Sequence, residues 1–273
     1  MRIPSGFLVS LFAAFAFSSC YQVPVTGRRA MNLVDDKEVT KMSVAMFDQM
    51  KAQRRISHDK EQNAQLQRVG DRLRRAISIW DMPDADWEFL VFDVPNEINA
   101  FAMAGGKVGV YSGLFKIIKN DDQLAAVIAH EIAHVTAKHV HEKLSEELAV
   151  NTVGTVGLVG AGVGGANLLA VDALGQIYGI STTIGGLAFD RKKEKEADLI
   201  GLMYMARAGF DPQEAVKVLE QLEDVTGTPA GESSFLSTHP STPDRIIQLL
   251  DAMPKALEER AKSAAAMTPP LGR

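Results

Sequence analysis

AAVIAHEIAHVTAKHVHEKL, residues 125–144, is the most informative stretch of this chain, because it carries four of the six histidines in a helical pattern. On a helical wheel His134 falls about 40° from His130 and roughly 6 Å further along the axis, so both imidazoles project to one side. Zn²⁺ suits such a pair, since its nitrogen ligands lie about 2.1 Å away. Glu131 lies about 100° round the wheel, where its longer side chain reaches a water beside the ion without being a ligand. The pattern therefore predicts two metal ligands and one general base on a single helix.

The same wheel separates the other two histidines, on the expectation that the helix begins after Asn120 and runs unbroken to about Glu147. His139 falls on an apolar stripe, so we expect it to pack in the core and to make a hydrogen bond. That stripe consists of Leu124, Ile128, Ile132 and Val135. His141 returns to the ligand side, but it lies roughly 10 Å along the axis from His134. In an intact helix it cannot reach the same ion.

A third ligand is predicted in EKEAD, residues 194–198, on the next polar-faced helix. A catalytic zinc takes three protein ligands and keeps a fourth position open. Glu194 and Asp198 stand four residues apart and share one helix face. With Glu194 as the ligand, Asp198 is left to accept a hydrogen bond from a ligand histidine, which fixes the tautomer and orientation of that histidine. Glu196 lies about 200° round the wheel from Glu194 and is expected to face elsewhere.

Strands are predicted on the N-terminal side of the histidine helix. WEFLVFDV (87–94) is aromatic and branched, and NAFAMAGGKVGVYSG (99–113) is typical of a strand, a Gly105-Gly106 turn and a second strand. Apolar residues recur at helical spacing in several further segments. Helices are therefore predicted over residues 35–55, over residues 60–79, from about Phe189 to a C-cap at Gly209, after Asp211-Pro212, and over residues 244–253. The predicted fold is therefore α+β and mostly helical, with a small sheet packed on the histidine helix.

The N-terminus is expected to carry a signal peptide, residues 1–19, because residues 6–17 form an uncharged apolar run. The run is short for a membrane span and ends in SSC, which looks like a bacterial lipobox. Cleavage before Cys20 and acylation of its thiol would tether the protein to a membrane without spanning it. Phe17 and Ser18 stand where such boxes more often have Leu and Ala, so plain secretion or an uncleaved anchor stays open. We expect the periplasmic side of a bacterial cell envelope, with the outer membrane as the first choice.

Net charge, cysteine content and one glycine-rich run give three further observations. The net charge of −5 gives no support for nucleic-acid binding. Cys20 is the only cysteine, so an intramolecular disulfide is excluded. Residues 148–171 contain six glycines and no charged side chain. The favoured interpretation of this run is a mobile segment over a cleft, and a membrane-spanning helix is the alternative.

Five segments together resemble one enzyme family. HEIAH (130–134) followed by EKEAD looks like the gluzincin metallopeptidases of family forty-eight, which include the CAAX prenyl proteases, the HtpX heat-shock proteases and periplasmic lipoprotein proteases. PVTGRRAMNLV, just after Cys20, resembles the opening of the lipoprotein members. NAFAMAGGKVGVYSGL resembles their segment ahead of the zinc helix, although Met103-Ala104 stand where Leu-Pro is more usual. STHPSTPDRI resembles their C-terminal element on His239, Pro240 and Arg245.

This resemblance covers residues 20–250 and implies a zincin-like catalytic domain with one zinc per subunit. It implies hydrolysis of peptide bonds in polypeptide substrates, with Glu131 as the general base. His239 is a candidate second donor to the oxyanion, or else a group that approaches the zinc and blocks it. An extended substrate is expected to pair with an edge strand formed by Asn99, Ala100, Phe101 and Ala102.

These expectations divide the chain into a signal peptide (1–19), a lipid-anchored tether (20–34), a zinc metallopeptidase domain (35–253) and a flexible tail (254–273). Two alternatives stay open. One is an integral membrane protease of the HtpX kind. The other is a non-catalytic lipoprotein that uses zinc in a chaperone or assembly role, although a structural zinc site has no need of Glu131.

Overall fold

The computed structural model describes residues 20–78, 81–82, 85–146, 189–224, 234–240 and 242–267. The strands are β1 (Cys20–Gln22), β2 (Arg29–Met31), β3 (Glu88–Phe92), β4 (Ala100–Met103) and β5 (Lys107–Tyr111). The helices are α1 (Asp36–Gln53), α2 (Lys60–Ser78), α3 (Asp121–Thr136), α4 (Arg191–Arg207), α5 (Gln213–Asp224), α6 (Ser234–Thr238) and α7 (Pro243–Met267), with a 3₁₀ turn at Ser112–Lys116. The predicted class, α+β and mostly helical, is confirmed.

Strands β3, β4 and β5 form one sheet in the order β3-β5-β4. Strand β5 pairs in parallel with β3 and antiparallel with β4, so β4 is an edge strand. The turn between β4 and β5 needs left-handed backbone at Gly105 (φ 84°) and Gly106 (φ 80°), which glycine adopts without a steric penalty. The predicted strand, glycine turn and strand are therefore present, and β4 packs on α3.

Helix α3 is the histidine helix and the centre of the fold. As predicted, Asn120 caps it, because its side-chain oxygen accepts a hydrogen bond from the backbone N–H of Gln123. Several small residues of α3 are fully buried and allow neighbours to come close, namely Ala125, Ala129 and Ala133. Helix α4 approaches so closely that a Cβ atom added to Gly201 would lie 2.9 Å from the backbone nitrogen of His130. This contact sets the distance between α4 and the histidines.

The expectation of one unbroken helix from Asn120 to about Glu147 is wrong. Helix α3 ends at Thr136, Lys138 takes left-handed backbone (φ 57°), and a separate helical run follows over residues 139–146. The hydroxyl of Tyr21 donates to the backbone carbonyl of Thr136, which gives a partner to an acceptor that the helix end leaves free. Helical periodicity continues across this break in the sequence, so the wheel could not reveal it.

The segment expected to be a tether, residues 20–34, is instead packed on the domain. Strands β1 and β2 pair antiparallel, with Cys20 opposite Met31. Val23 and Ala30 are buried, so the hairpin contributes apolar side chains to the core. Its turn contains left-handed backbone at Gly27 (φ 70°). A three-residue strand carries too little periodicity to be recognised in the sequence.

The C-terminal helix also differs from the expectation. Helix α7 continues past Met253 and through Pro254 to Met267, where a flexible tail was expected after Pro254. Ala256 is fully buried and the hydroxyl of Ser263 donates to the backbone carbonyl of Arg207, so contacts with α4 hold the later turns in place. A proline removes one helical hydrogen bond, and these tertiary contacts offset that loss.

Several predictions fall on residues 1–19 and 147–188, outside the described residues. They are the signal peptide and the choice between a lid and a membrane span for residues 148–171. Among the helices that the structure does describe, none combines the length and the hydropathy that crossing a membrane requires.

Candidate metal centre

Four buried side chains converge where α3, α4 and the end of α6 meet: His130, His134, Glu194 and His239. Each offers one ligand atom, and these atoms all lie within 4.8 Å of one another. Helix α3 supplies the two histidines one turn apart, and α4 supplies the glutamate. His239 directly follows α6, where its backbone N–H donates to the carbonyl of Phe235 at 2.7 Å.

The spacing of the four ligand atoms fits a tetrahedral zinc ion. Bonds of about 2.1 Å at tetrahedral angles place neighbouring ligand atoms about 3.4 Å apart. His130 Nε2 lies 3.1 Å from His134 Nε2 and 3.4 Å from His239 Nδ1. Glu194 Oε1 lies 3.0 Å from His239 Nδ1 and 3.5 Å from His134 Nε2. Two or more imidazoles with one carboxylate are also the donor set that zinc prefers.

The second nitrogen of His130 faces Asp198. His130 Nδ1 lies 3.0 Å from the Asp198 carboxylate, and a carboxylate only accepts, so Nδ1 carries a proton and Nε2 is the nitrogen that faces the cluster. Arg245 holds that carboxylate from behind with two hydrogen bonds of 2.7 Å. Burial opposes ionisation of Asp198, but Arg245 holds its pKa below the ordinary value. The structure thus brings Asp198 to His130, and it adds Arg245, which the sequence singled out only as part of a family-like C-terminal element.

The cluster favours positive charge. Burial opposes ionisation of Glu194, yet His239 and His130 beside it hold its pKa well below the ordinary value. Burial by itself lowers the pKa of His130, but the hydrogen bonds to Asp198 and Glu194 outweigh it and raise that pKa to about 10. Two buried carboxylates therefore attract a cation to this point, and a divalent metal ion satisfies them.

Glu131 lies beside the cluster rather than within it. Its side chain is buried, and its Oε1 atom has no hydrogen-bond partner among the described residues. The Nε2 atom of His239 lies 3.5 Å from this Oε1 atom. Burial raises the pKa of Glu131, which brings it towards the range in which a carboxylate works as a general base at neutral pH.

The edge strand and the cluster share one cavity. It is lined by Asn99, Ala100, Phe101 and Ala102 from β4 and its approach, together with Glu131, His134, Val140, Phe189, Thr238 and His239. The residues predicted to receive substrate thus face the predicted base. Among the described residues β4 has β5 as its one strand neighbour, and its other edge is unpaired.

The other two histidines of the opening stretch lie apart from the four ligand atoms. His139 is buried and hydrogen-bonded, as expected, but its partners are polar: His134 at 2.9 Å and Glu196 at 3.0 Å. His141 is also buried, and its Nε2 lies 3.4 Å from Asp36, away from the cluster. The break after Thr136 changes the direction of both side chains. His141 therefore lies away from the cluster, as predicted, but because of this break and not because of its distance along an intact helix.

Comparison with known proteins places this cluster in a family. The pattern described as "Peptidase family M48" matches residues 60–253, which contain all four clustered side chains. The chain belongs to that family. It is 33% identical over 262 residues to the mitochondrial metalloendopeptidase OMA1 of Schizosaccharomyces pombe, which covers 94% of this chain and 74% of that protein.

Other relatives match over shorter regions. The chain is 36% identical over 177 residues to the mitochondrial metalloendopeptidase OMA1 of Saccharomyces cerevisiae, covering 63% of this chain and 48% of that protein. It is 35% identical over 154 residues to the beta-barrel assembly-enhancing protease of Escherichia coli (strain K12), covering 55% of this chain and 31% of that protein. The chain thus spans about half or less of the length of these two relatives. Family membership confirms the resemblance seen in the sequence and makes the chain a zinc metalloendopeptidase.

Proposed function

We propose that this metalloendopeptidase binds one zinc ion on His130, His134 and Glu194 and cleaves misfolded or envelope proteins with Glu131 as the general base. The observation that carries the proposal is the near-tetrahedral spacing of the ligand atoms next to a buried carboxylate oxygen that accepts no hydrogen bond from the described residues. A structural zinc site would have no use for that oxygen, whereas a hydrolase needs it to accept a proton from water.

Zinc bound there would acidify a water molecule and polarise the scissile carbonyl. Glu131 takes the proton from the attacking water and passes it to the leaving amine. Asp198 and Arg245 keep the His130 ring in the orientation that ligation needs. The unpaired edge of β4 offers backbone groups to an extended substrate, so residues 99–102 hold the scissile bond beside Glu131.

We propose further that His239 is a resting-state ligand. Its Nδ1 atom would fill the coordination position that a catalytic zinc keeps open for water, and its Nε2 faces Glu131. One ring therefore covers both the open position and the base. Displacement of His239 would expose them together. This arrangement favours the blocking role over the oxyanion role for the conformation seen here.

Zinc content and casein cleavage by the wild type and by Glu131→Gln test the main proposal. The amide has the size of the carboxylate but accepts no proton, so we expect one zinc per chain in both proteins and a rate about 10²–10⁴-fold lower in the variant. Glu220→Gln, an exposed change on α5, is the matched control and should cleave like the wild type. Equal cleavage by Glu131→Gln, or absence of cleavage by both the zinc-loaded wild type and the zinc-loaded His239→Ala variant, would defeat the proposal.

A second candidate, a non-catalytic zinc module with a chaperone or assembly role, is favoured by one observation. Four protein ligand atoms close the tetrahedron, as they do in structural zinc sites. His239→Ala separates the two. If His239 blocks a catalytic site, the variant cleaves casein faster and keeps its zinc. If the site is structural, the variant loses zinc and stability without gaining activity. His58→Ala, on an exposed loop, is the control.

We propose the bacterial cell envelope as the location, with a lipid anchor on Cys20. The support comes from the lipobox-like residues before Cys20 and from relatives named beta-barrel assembly-enhancing proteases. Since Cys20 is already paired with Met31 in the hairpin, an anchor there would hold the catalytic domain directly at the membrane surface. Membrane fractionation of wild type and Cys20→Ala tests this proposal. Equal distribution of the two proteins between membrane and soluble fractions would refute the anchor.

A further inference from the structure

The second nitrogen of His134 is held by a chain of side chains outside the proposed zinc ligands. His139 Nδ1 lies 2.9 Å from His134 Nδ1. On the other side of the same ring, His139 Nε2 lies 3.0 Å from the Glu196 carboxylate. Arg28 donates to that carboxylate at 2.7 Å, and the hydroxyl of Thr26 donates to its second oxygen. This series of hydrogen-bonded side chains thus runs from the N-terminal hairpin to the metal cluster.

The hydrogen-bonding capacity of these groups fixes the tautomer of each ring. An ionised carboxylate only accepts, so the proton of neutral His139 lies on Nε2, facing Glu196. His139 Nδ1 is then an acceptor, and the proton between the two histidines belongs to His134 Nδ1. His134 Nε2 is left with its lone pair free, and this is the atom that points at Glu194 and His130.

Arg28 ties together the two elements that carry this chain. It makes two hydrogen bonds with Glu142, at 2.9 and 3.0 Å, on the same helical run as His139. It also binds Glu196 on α4. The Glu196 side chain is only 8% exposed, so a loss of these partners would leave a charge buried without compensation.

We propose that His139, Glu196 and Arg28 are positioning residues of the zinc site, and that the N-terminal hairpin is therefore a structural part of that site. The arrangement parallels the other histidine ligand, which Asp198 and Arg245 hold in the same way. In each case an arginine holds the carboxylate that orients the histidine ring. For His134, the His139 ring lies between the histidine and that carboxylate. This inference rests on the proposed zinc function of His134.

The test is the zinc dissociation constant of the metal-free full-length protein, measured by competition with a chelator. Glu196→Leu removes the acceptor and His139→Leu removes the relay, so each should weaken zinc binding about 10–100-fold. Glu146→Leu is the control for the first, because it removes a carboxylate of the same helical run that pairs with Lys193 rather than with Arg28 or His139. His141→Leu is the control for the second, since it is an equally buried histidine away from the cluster. Both controls should bind zinc as the wild type does.

Milder variants separate positioning from folding. Glu196→Gln keeps an acceptor oxygen for His139 and should recover most of the affinity that Glu196→Leu loses. Arg28→Gln, at a half-exposed side chain, should weaken binding roughly 3–10-fold, whereas Arg29→Gln next to it should have no effect. These two decide the question if a leucine variant does not fold. Wild-type affinity in Arg28→Gln and in every leucine variant that folds would overturn this inference alone. Absence of zinc binding by the wild type would overturn the proposed function with it.

Discussion

Gly201→Ala tests whether the spacing of α3 and α4 sets the geometry of the metal centre. The added Cβ would lie 2.9 Å from the backbone nitrogen and 3.0 Å from the Cα of His130. Favourable contacts between heavy atoms lie at about 3.5–4.0 Å, so the helices must separate locally by about 0.6 Å. Because the obstacle is backbone rather than a flexible side chain, a rotamer change cannot relieve it.

The effect on stability and the effect on the site should differ in size. Alanine in a helix interior gains about 1 kcal/mol over glycine, while overpacking costs about 1–3 kcal/mol, so the net loss is about 0–2 kcal/mol. Zinc ligands tolerate errors of only about 0.2 Å, and Glu194 shares the helix of Gly201. We therefore expect a folded protein with at least roughly tenfold weaker zinc binding and a lower cleavage rate.

Gly70→Ala is the matched control, because its Cβ would meet the ring of Phe89 at 2.8 Å, on the α2–β3 side of the domain. It should lower the free energy of unfolding without changing zinc affinity. Denaturant unfolding and chelator competition measure the two quantities on each variant. Wild-type zinc affinity in Gly201→Ala would refute the reasoning, and so would an equal loss of affinity in Gly70→Ala.

Three further outcomes are expected. Burial lowers the pKa of His141 to about 4. As the pH falls through about 6.5 the unfolded chain therefore binds a proton that the folded protein does not bind. The contribution of His141 to stability is full above that pH and is lost as the pH falls towards 4. The fall in Tm between pH 7.5 and pH 5 should therefore be smaller in His141→Leu, and an equal fall would contradict this assignment. Arg245→Met leaves Asp198 buried without its partner and should lower the unfolding free energy by about 3–5 kcal/mol in denaturant titrations; a loss under ~1 kcal/mol would show that the pair is not needed. Chelation of zinc should lower Tm, and one equivalent of added zinc should restore it, whereas a Tm insensitive to metal would argue against a site within the folded core.

Local periodicity was enough to predict the parts of the site that lie on one element or repeat at helical spacing. His130, Glu131 and His134 lie on one helix, and their mutual geometry follows from the helical repeat. Glu194 and Asp198 follow in the same way from their spacing on α4. The glycine turn between β4 and β5 was predictable because left-handed backbone at that point selects glycine.

The break after α3 marks the limit of this reasoning. One left-handed residue, Lys138, turns the chain while the apolar spacing continues, so a wheel drawn through it misplaces everything beyond. That error assigned His139 to the apolar stripe, although the structure places it between His134 and Glu196. Glu196 was predicted only to face away from Glu194, and its contact with His139 depends on how the run over residues 139–146 packs on α4.

Side-chain chemistry and spacing within one helix were enough to predict which residues could hold zinc and which could serve as the base. The orientation of those side chains, and the position of His239 among them, depend on how α3, α4 and α6 pack together. Arg28 meets Glu196 across 168 residues of chain, and His239 meets Glu194 across 45. Contacts of that kind arise from the packing of whole elements, and no local pattern in the sequence records them.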